Sequence, residues 1–378
     1  MSEYIIIGTI IAAFAVAAVL SYFFTPPVKN FAHKVGAIDV PKDARRMHKK
    51  PIPRLGGLAI YGGFLCSILI FGQLDETMLC VLLGAAIIVA LGIFDDVLAL
   101  GAKLKFVVQI VAAAIPVCIG NLQIGLFTNL NPLSDTPFVH LGILAVPVTI
   151  IWIVGITNAV NLIDGLDGLA FGVSTISSMT LLVIALTVSE PDVALLMAAL
   201  AGACIGFLPY NLNPAKIFMG DTGSTFLGFI LASVSIQGLF KFHMIISFAV
   251  PFLMLGLPIF DTCFAILRRV SKGQSPMTPD RGHIHHRLID MGFSQKQAVA
   301  VLYIISAILG LSAVVLTTSG VFKAMLFLVA LCAAGGLAAG LFLTHNDGRH
   351  TPQDPGRHHK TQISGNDNFF GEEDQSEK

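Results

Sequence analysis

NAVNLIDGLDGLA, residues 158–170, sets two amides, Asn158 and Asn161, and two carboxylates, Asp164 and Asp167, between two long apolar runs. Ionisable groups at or near membrane depth are costly and normally mark a function. The chain therefore reads as a membrane enzyme or a membrane transporter before any other class. Its composition agrees: 55% of the 378 residues are hydrophobic and 12% charged, where a soluble domain carries about a quarter charged residues. A formal net charge of zero offers no basic footprint for nucleic acid.

Crossing a bilayer core takes about 20 apolar helical residues, and about eleven runs approach that length. They lie near 4–24, 56–73, 77–94, 104–120, 141–157, 169–188, 193–210, 223–240, 244–267, 298–317 and 321–343. Short alternating strands, the mark of a barrel, are absent from these runs. The expected fold is all-α: a polytopic integral membrane protein of about eleven transmembrane helices. The first run has no basic residue before it, which favours an uncleaved helix over a signal peptide.

Lysine and arginine counts orient the bundle. With the N-terminus outside, one inner loop holds Lys29, Lys34, Lys42, Arg45, Arg46, Lys49, Lys50 and Arg54, and another holds Arg268, Arg269, Lys272, Arg281, Arg287 and Lys296. The outer connections hold only Lys241 and Lys323. The expected topology is N-terminus outside and C-terminus cytoplasmic. Residues 1–344 form the membrane domain, and the polar stretch 345–378 is expected to be a disordered cytoplasmic tail.

Polar chemistry gathers in five clusters on the inner side: 45–57, 95–96, 158–168, 211–224 and 279–287. Asp95 and Asp96 are adjacent carboxylates that cannot both ionise cheaply in a low-dielectric site, so a cation or a raised pKa is expected there; a solvated helix end is the plainer reading. Asn158, Asn161, Asp164 and Asp167 recur every third residue, while a helix turns about 100° per residue. The four drift around a straight helix, so Gly165 and Gly168 are read as opening it into a loop that folds them about one ligand. Their oxygens suit Mg2+, which takes carboxylates, water and phosphate oxygens; simple helix capping is the alternative.

Gly220-Asp221-Thr222-Gly223-Ser224 offers a carboxylate and close backbone approach at a helix start, favourable for anions. Phe218, just before it, either stacks on a base or sugar or packs against apolar neighbours. Arg281, His283, His285, His286 and Arg287 form a cationic, hydrogen-bonding cluster that suits a pyrophosphate better than zinc, which adjacent arginines would repel. His48 and Arg54 can serve similarly from the first inner loop, unless they are only part of its positive charge.

FDD at 94–96, NAVNLIDGLDGL at 158–169, NPAKIFMGDTGS at 213–224, HKKPIPRLGG at 48–57 and PDRGHIHHR at 279–287 together resemble the polyprenyl-phosphate N-acetylhexosamine-1-phosphate transferases over about residues 20–300. The pattern is most similar to the bacterial undecaprenyl-phosphate N-acetylglucosamine-1-phosphate transferases that begin teichoic acid, O-antigen and common-antigen synthesis. The resemblance implies transfer from UDP-GlcNAc to undecaprenyl phosphate with release of UMP, at the cytoplasmic face of the bacterial inner membrane, using Mg2+ with Mn2+ as an alternative. It places Asp221 and Asn161 at the metal and Asp95 and Asp96 at the acceptor phosphate, one of them as base. Asn158, Asp164, Asp167 and Asn211 fall to the nucleotide-sugar pocket, and Arg281, His283, His285 and His286 to the pyrophosphate and sugar. Another UDP-N-acetylhexosamine or UDP-MurNAc-pentapeptide as donor remains an alternative, as does a transporter of anions or nucleotide sugars. The partners are a UDP-sugar, undecaprenyl phosphate and the bilayer, and the sequence leaves room for a homodimer.

Overall fold

The computed structural model describes residues 3–40, 51–128, 138–239, 246–275, 282–319 and scattered positions between 323 and 329. Its helices are α1 (Glu3–Val35), α2 (Gly57–Phe71), α3 (Glu76–Leu98), α4 (Ala102–Ala114), α5 (Ala145–Leu162), α6 (Leu169–Thr187), α7 (Pro191–Asn211), α8 (Gly220–Leu239), α9 (Ile246–Met254), α10 (Gly256–Ser271), α11 (Ile284–Asp290) and α12 (Gln295–Ser319). A π-helical turn, Ile115–Ile119, extends α4. Two short antiparallel pairs are the strands described: β1 (Ile38–Asp39) with β2 (Ile52–Pro53), and β3 (Leu126–Thr128) with β4 (Phe138–His140).

Seven helical stretches among the described residues are long and apolar enough to cross a bilayer: Tyr4–Val35, Glu76–Leu98, Ala102–Ile119, Gly142–Leu162, Leu169–Thr187, Pro191–Asn211 and Gln295–Thr318. The protein is an all-α polytopic membrane protein. Large apolar side chains such as Ile11, Leu83, Val107 and Ile151 point outward, which lipid tolerates and water would not.

The remaining runs of the expected eleven behave differently. The run at 56–73 forms a shorter apolar helix, Gly57–Phe71, and most of 321–343 lies outside the described residues, as does the tail. The run at 223–240 is α8, which packs against α2, α3, α5, α6, α7 and α9. Surrounded by protein, it can bury Thr222, Ser224, Thr225, Ser233 and Ser235, polar residues that lower its hydropathy without meeting lipid.

The run at 244–267 is not one helix. It breaks at Leu255 between α9 and α10. Pro258 has no N–H to give the carbonyl four residues back, and that carbonyl, on Met254, instead accepts from Ser177 Oγ at 2.7 Å. Beyond the break, α10 buries Asp261, Ala265 and Arg269 and exposes Phe260, Phe264, Leu267 and Val270.

Close helix contact is made through small residues. A Cβ on Gly202 would sit 2.2 Å from the Phe14 carbonyl oxygen, and one on Gly206 2.0 Å from that of Ala18, so α7 lies against α1 backbone to backbone.

Candidate active site

The site begins with a crossing of two loops. Phe218 N–H donates to the Pro53 carbonyl at 2.8 Å, Gly56 N–H to Phe218 at 2.9 Å and Gly57 N–H to Met219 at 2.8 Å. The start of α8 is thereby wedged between α2 and α3. Only glycine fits there: a Cβ on Gly57 would lie 2.1 Å from Gly223 N, and one on Gly92 2.4 Å from Thr222 Cα. Gly220 takes φ +68°, the left-handed region, beside the Asp96 carboxylate.

Asp96 is buried and caps α8 from a different helix. Its Oδ1 accepts from Asp221 N–H at 3.1 Å, and its Oδ2 from Thr222 N–H at 3.0 Å and Thr222 Oγ1 at 2.7 Å. Arg54 donates to the Asp96 carbonyl from Nε at 3.1 Å and Nη2 at 2.8 Å, and its Nε lies 3.6 Å from Asp96 Oδ1. Asp95, one position earlier, faces a different group. Its Oδ1 accepts from Leu100 N–H at 2.8 Å, and its Oδ2 takes the Lys105 ammonium at 2.9 Å. The same ammonium reaches Asp221 Oδ2 at 3.1 Å, so one cation neutralises two carboxylates from α3 and α8.

Asn161 Nδ2 donates to Asp221 Oδ1 at 3.2 Å and to Ser224 Oγ at 2.8 Å. Asn158 Nδ2 donates to Gln109 Oε1 and to the Val154 carbonyl, both at 2.7 Å. Each amide has both hydrogens committed, which leaves its oxygen as the group available to a ligand.

The four polar residues do not converge as expected. Asn158 and Asn161 remain on α5, which ends at Leu162, and Asp167 is held by the segment that follows α7. There its Oδ2 accepts from Asn213 Nδ2 at 3.0 Å and Ala215 N–H at 3.1 Å. Asp164 stays near the carboxylates. Burial, then the charges of Asp221, Asp96 and Asp167, hold its carboxyl well above the usual carboxylate range, and among the described residues nothing hydrogen-bonds to its side chain. Asn211 is buried as a brace: it accepts from Gly168 N–H at 3.1 Å and donates to the Ile217 carbonyl at 2.9 Å. Tyr303 on α12 donates to the Gly168 carbonyl.

The histidine loop docks against this opened turn. A Cβ on Gly165 would lie 2.3 Å from His285 Nε2. His283 and His285 stack in parallel at 5.7 Å, and His285 meets His286 at 4.2 Å. The cluster is less cationic than its composition suggests. Burial, reinforced by His286, pulls the His285 pKa down to about 4, so this ring is neutral near pH 7. His283 instead pairs through Nδ1 with Asp261 Oδ2 at 2.8 Å.

The structure thus brings Arg54, Asp95, Asp96, Asn158, Asn161, Asp164, Asn211, Phe218, Gly220, Asp221, His283, His285 and His286 into one connected region, with Asp167 joined to it next to Asp164 and bonded to Asn213 and Ala215. His48 and Arg281 lie outside the described residues. Sequence reading missed Lys105, Gln109, Asp261 and Tyr303. Lys105 and Gln109 are one turn apart on α4, and a lysine and glutamine at that spacing inside an apolar helix were the available signal. Nothing local in the sequence marks Asp261 or Tyr303.

The family model described as glycosyl transferase family 4 matches residues 78–239, from α3 to α8. A Bacillus subtilis protein named a probable undecaprenyl-phosphate N-acetylglucosaminyl 1-phosphate transferase is 44% identical over 323 residues, 85% of this chain and 89% of its own. The chain belongs to glycosyl transferase family 4. Among its relatives, a decaprenyl-phosphate N-acetylglucosaminephosphotransferase of Mycolicibacterium smegmatis is 35% identical over 76% of this chain and 77% of its own. An undecaprenyl-phosphate alpha-N-acetylglucosaminyl 1-phosphate transferase of Escherichia coli is 29% identical over 74% of this chain and 77% of its own. Within glycosyl transferase family 4, the matched segment carries Asp95, Lys105, Asn161 and Asp221, the residues joined around one ammonium group.

Proposed function

We propose that this family member transfers N-acetylglucosamine 1-phosphate from UDP-GlcNAc to undecaprenyl phosphate, giving undecaprenyl-pyrophosphoryl-GlcNAc and UMP, the first membrane step of a cell-surface polysaccharide. The observation that carries the reading is Lys105 held between Asp95 and Asp221, with Asn161 on the same carboxylate. Combined with the relatives' names, this charge arrangement supports phosphoryl transfer rather than transport. A lipid phosphate oxygen bonds to the sugar-linked phosphorus as the pyrophosphate P–O bond breaks, and UMP leaves with that oxygen. A phosphate monoester is largely dianionic above about pH 6, so attack needs little help from a base. On this reading Asp95 serves by holding Lys105 beside the reacting phosphates, and Asp96 by holding Asp221 in place.

The donor set also fits Mg2+, with Mn2+ as an alternative. Two carboxylate oxygens, on Asp95 and Asp221, already share a cation, and the committed amide hydrogens of Asn161 leave its oxygen for a metal. Among the described residues no three His, Cys, Asp or Glu side chains are arranged to hold a metal ion by themselves, and magnesium commonly takes only one or two carboxylates besides water and substrate phosphates. When bound, the ion would neutralise charge on the transferring phosphoryl group. Around it, Asn158 accepts from the donor, Asp164 lines the nucleotide-sugar pocket, Phe218 stacks on the base or sugar, and the histidine loop receives the pyrophosphate.

The lysine and arginine asymmetry supports an external N-terminus, a cytoplasmic C-terminus and a site open to cytoplasmic UDP-sugars in a bacterial inner membrane, and the apolar run lengths support about eleven transmembrane segments. Incubating purified protein with undecaprenyl phosphate and a panel of UDP-sugars, then analysing products by mass spectrometry, tests the proposal. The expected result is lipid-linked pyrophosphoryl-GlcNAc and equimolar UMP, both lost in Asp221→Asn and on chelation of divalent ions. Release of UDP, or product only from UDP-MurNAc-pentapeptide, would overturn it.

A further inference from the structure

We propose that Gln109 on α4 is a positioning residue for the UDP-sugar: it holds Asn158 by one amide hydrogen and so keeps the Asn158 oxygen free to accept from the donor. The inference rests on the reading of Asn158 as a contact to the donor. α4 turns Leu104, Val107 and Val111 outward and buries Gln109, Ala112 and Ala113, with Gln109 3% exposed. A glutamine buried on such a helix is costly without a partner. Its partner is a side chain of α5, for Asn158 Nδ2 donates to Gln109 Oε1 at 2.7 Å. The main chain decides which amide atom is which. The same Nδ2 lies 2.7 Å from the Val154 carbonyl, which can only accept, so this atom is the nitrogen and Gln109 must show it an oxygen. Both hydrogens are then spent, and among the described residues no donor is bonded to the Asn158 oxygen.

Two residues on each helix close a circuit. Lys105, one turn before Gln109, reaches Asp221 Oδ2 at 3.1 Å, and Asn161, one turn after Asn158, reaches Asp221 Oδ1 at 3.2 Å. α4 and α5 therefore meet twice, through the shared Asp221 carboxylate and through the Gln109–Asn158 pair, which fixes Asn158 relative to the charge cluster. Glutamines between membrane helices also serve as plain interhelical glue. The two roles predict different kinetics.

Gln109→Met keeps the length of the side chain and removes the acceptor. Asn158 is only half-buried, so its freed N–H can reach water, and the melting temperature in detergent should stay unchanged. The KM for UDP-GlcNAc should rise about fivefold, the scale of one neutral hydrogen bond, while the KM for undecaprenyl phosphate stays the same. Asn158→Ala alone should raise the donor KM at least as far. Adding Gln109→Met to Asn158→Ala should then change the donor KM no further, because the group it positions is gone. An unchanged donor KM in Gln109→Met, a lowered melting temperature with both KM values altered, or a penalty that persists in the Asn158→Ala background would overturn the positioning role. An unchanged donor KM in Asn158→Ala itself would instead overturn the reading of Asn158 beneath it.

Discussion

Asp95 and Asp96 are neighbours of the same type with different work, because successive residues on a helix point about 100° apart. Asp96 points inward and spends both oxygens on the first N–H groups of α8 and on Thr222 Oγ1. Asp95 points toward α4 and holds Lys105. The chemistry of the pair was visible in the sequence, but which carboxylate did which job was not. Asp96→Asn should therefore lower thermal stability by about 1–3 kcal/mol, since an amide offers a donor where donors already converge. Asp95→Asn should leave the melting temperature nearly unchanged and reduce kcat by about 100-fold, the scale of one lost electrostatic contact in the transition state. Thermal melts beside steady-state rates on the two variants check this, and equal melting temperatures would contradict the division of roles.

At the scale of elements, the start of α8 is set by two glycines on other helices. Gly92 on α3 and Gly57 on α2 clasp Thr222 and Gly223, and the nearest atoms are backbone, which cannot swing aside. Gly92→Ala should cost about 1–3 kcal/mol by overpacking and displace Asp221, lowering both the folded amount in membranes and kcat/KM. Gly155→Ala on α5, where a Cβ meets nothing within 4 Å, is the control and should be tolerated. Full activity in Gly92→Ala would show that the close approach is dispensable. The break between α9 and α10 belongs to this scale too. Hydropathy ran continuously through 244–267, yet Pro258 interrupts the ladder and turns Asp261 inward beneath the histidine loop.

On the proposed function the whole molecule meets a soluble nucleotide and a lipid at one surface, and the positive-inside count predicts that this surface is the cytoplasmic one. In a cysteine-free background, single cysteines at the exposed positions Lys103 and Lys216 should resist a membrane-impermeant thiol reagent added to intact cells. A cysteine at the exposed Asp192, on the opposite side, should react. The readout is labelling before and after the membrane is opened, and strong labelling of Lys216→Cys in intact cells would reverse the topology.

Apolar run lengths, the one-sided lysines and arginines and the five polar clusters determined the class, the membrane setting and nearly all the residues that meet at the site. These are local properties, legible because lipid imposes the same demand on every helix it touches. Tertiary structure decided what locality cannot: that α8, shielded by its neighbours, carries serines and threonines through the bundle; that Asp167 and Asn211 brace loops through their hydrogen bonds; and that Lys105 supplies the cation between Asp95 and Asp221. It also placed Asp261 against His283 across 22 residues of chain. Such pairings depend on how separate helices pack in three dimensions, and a residue's neighbours in sequence carry no record of the partner that packing will bring to it.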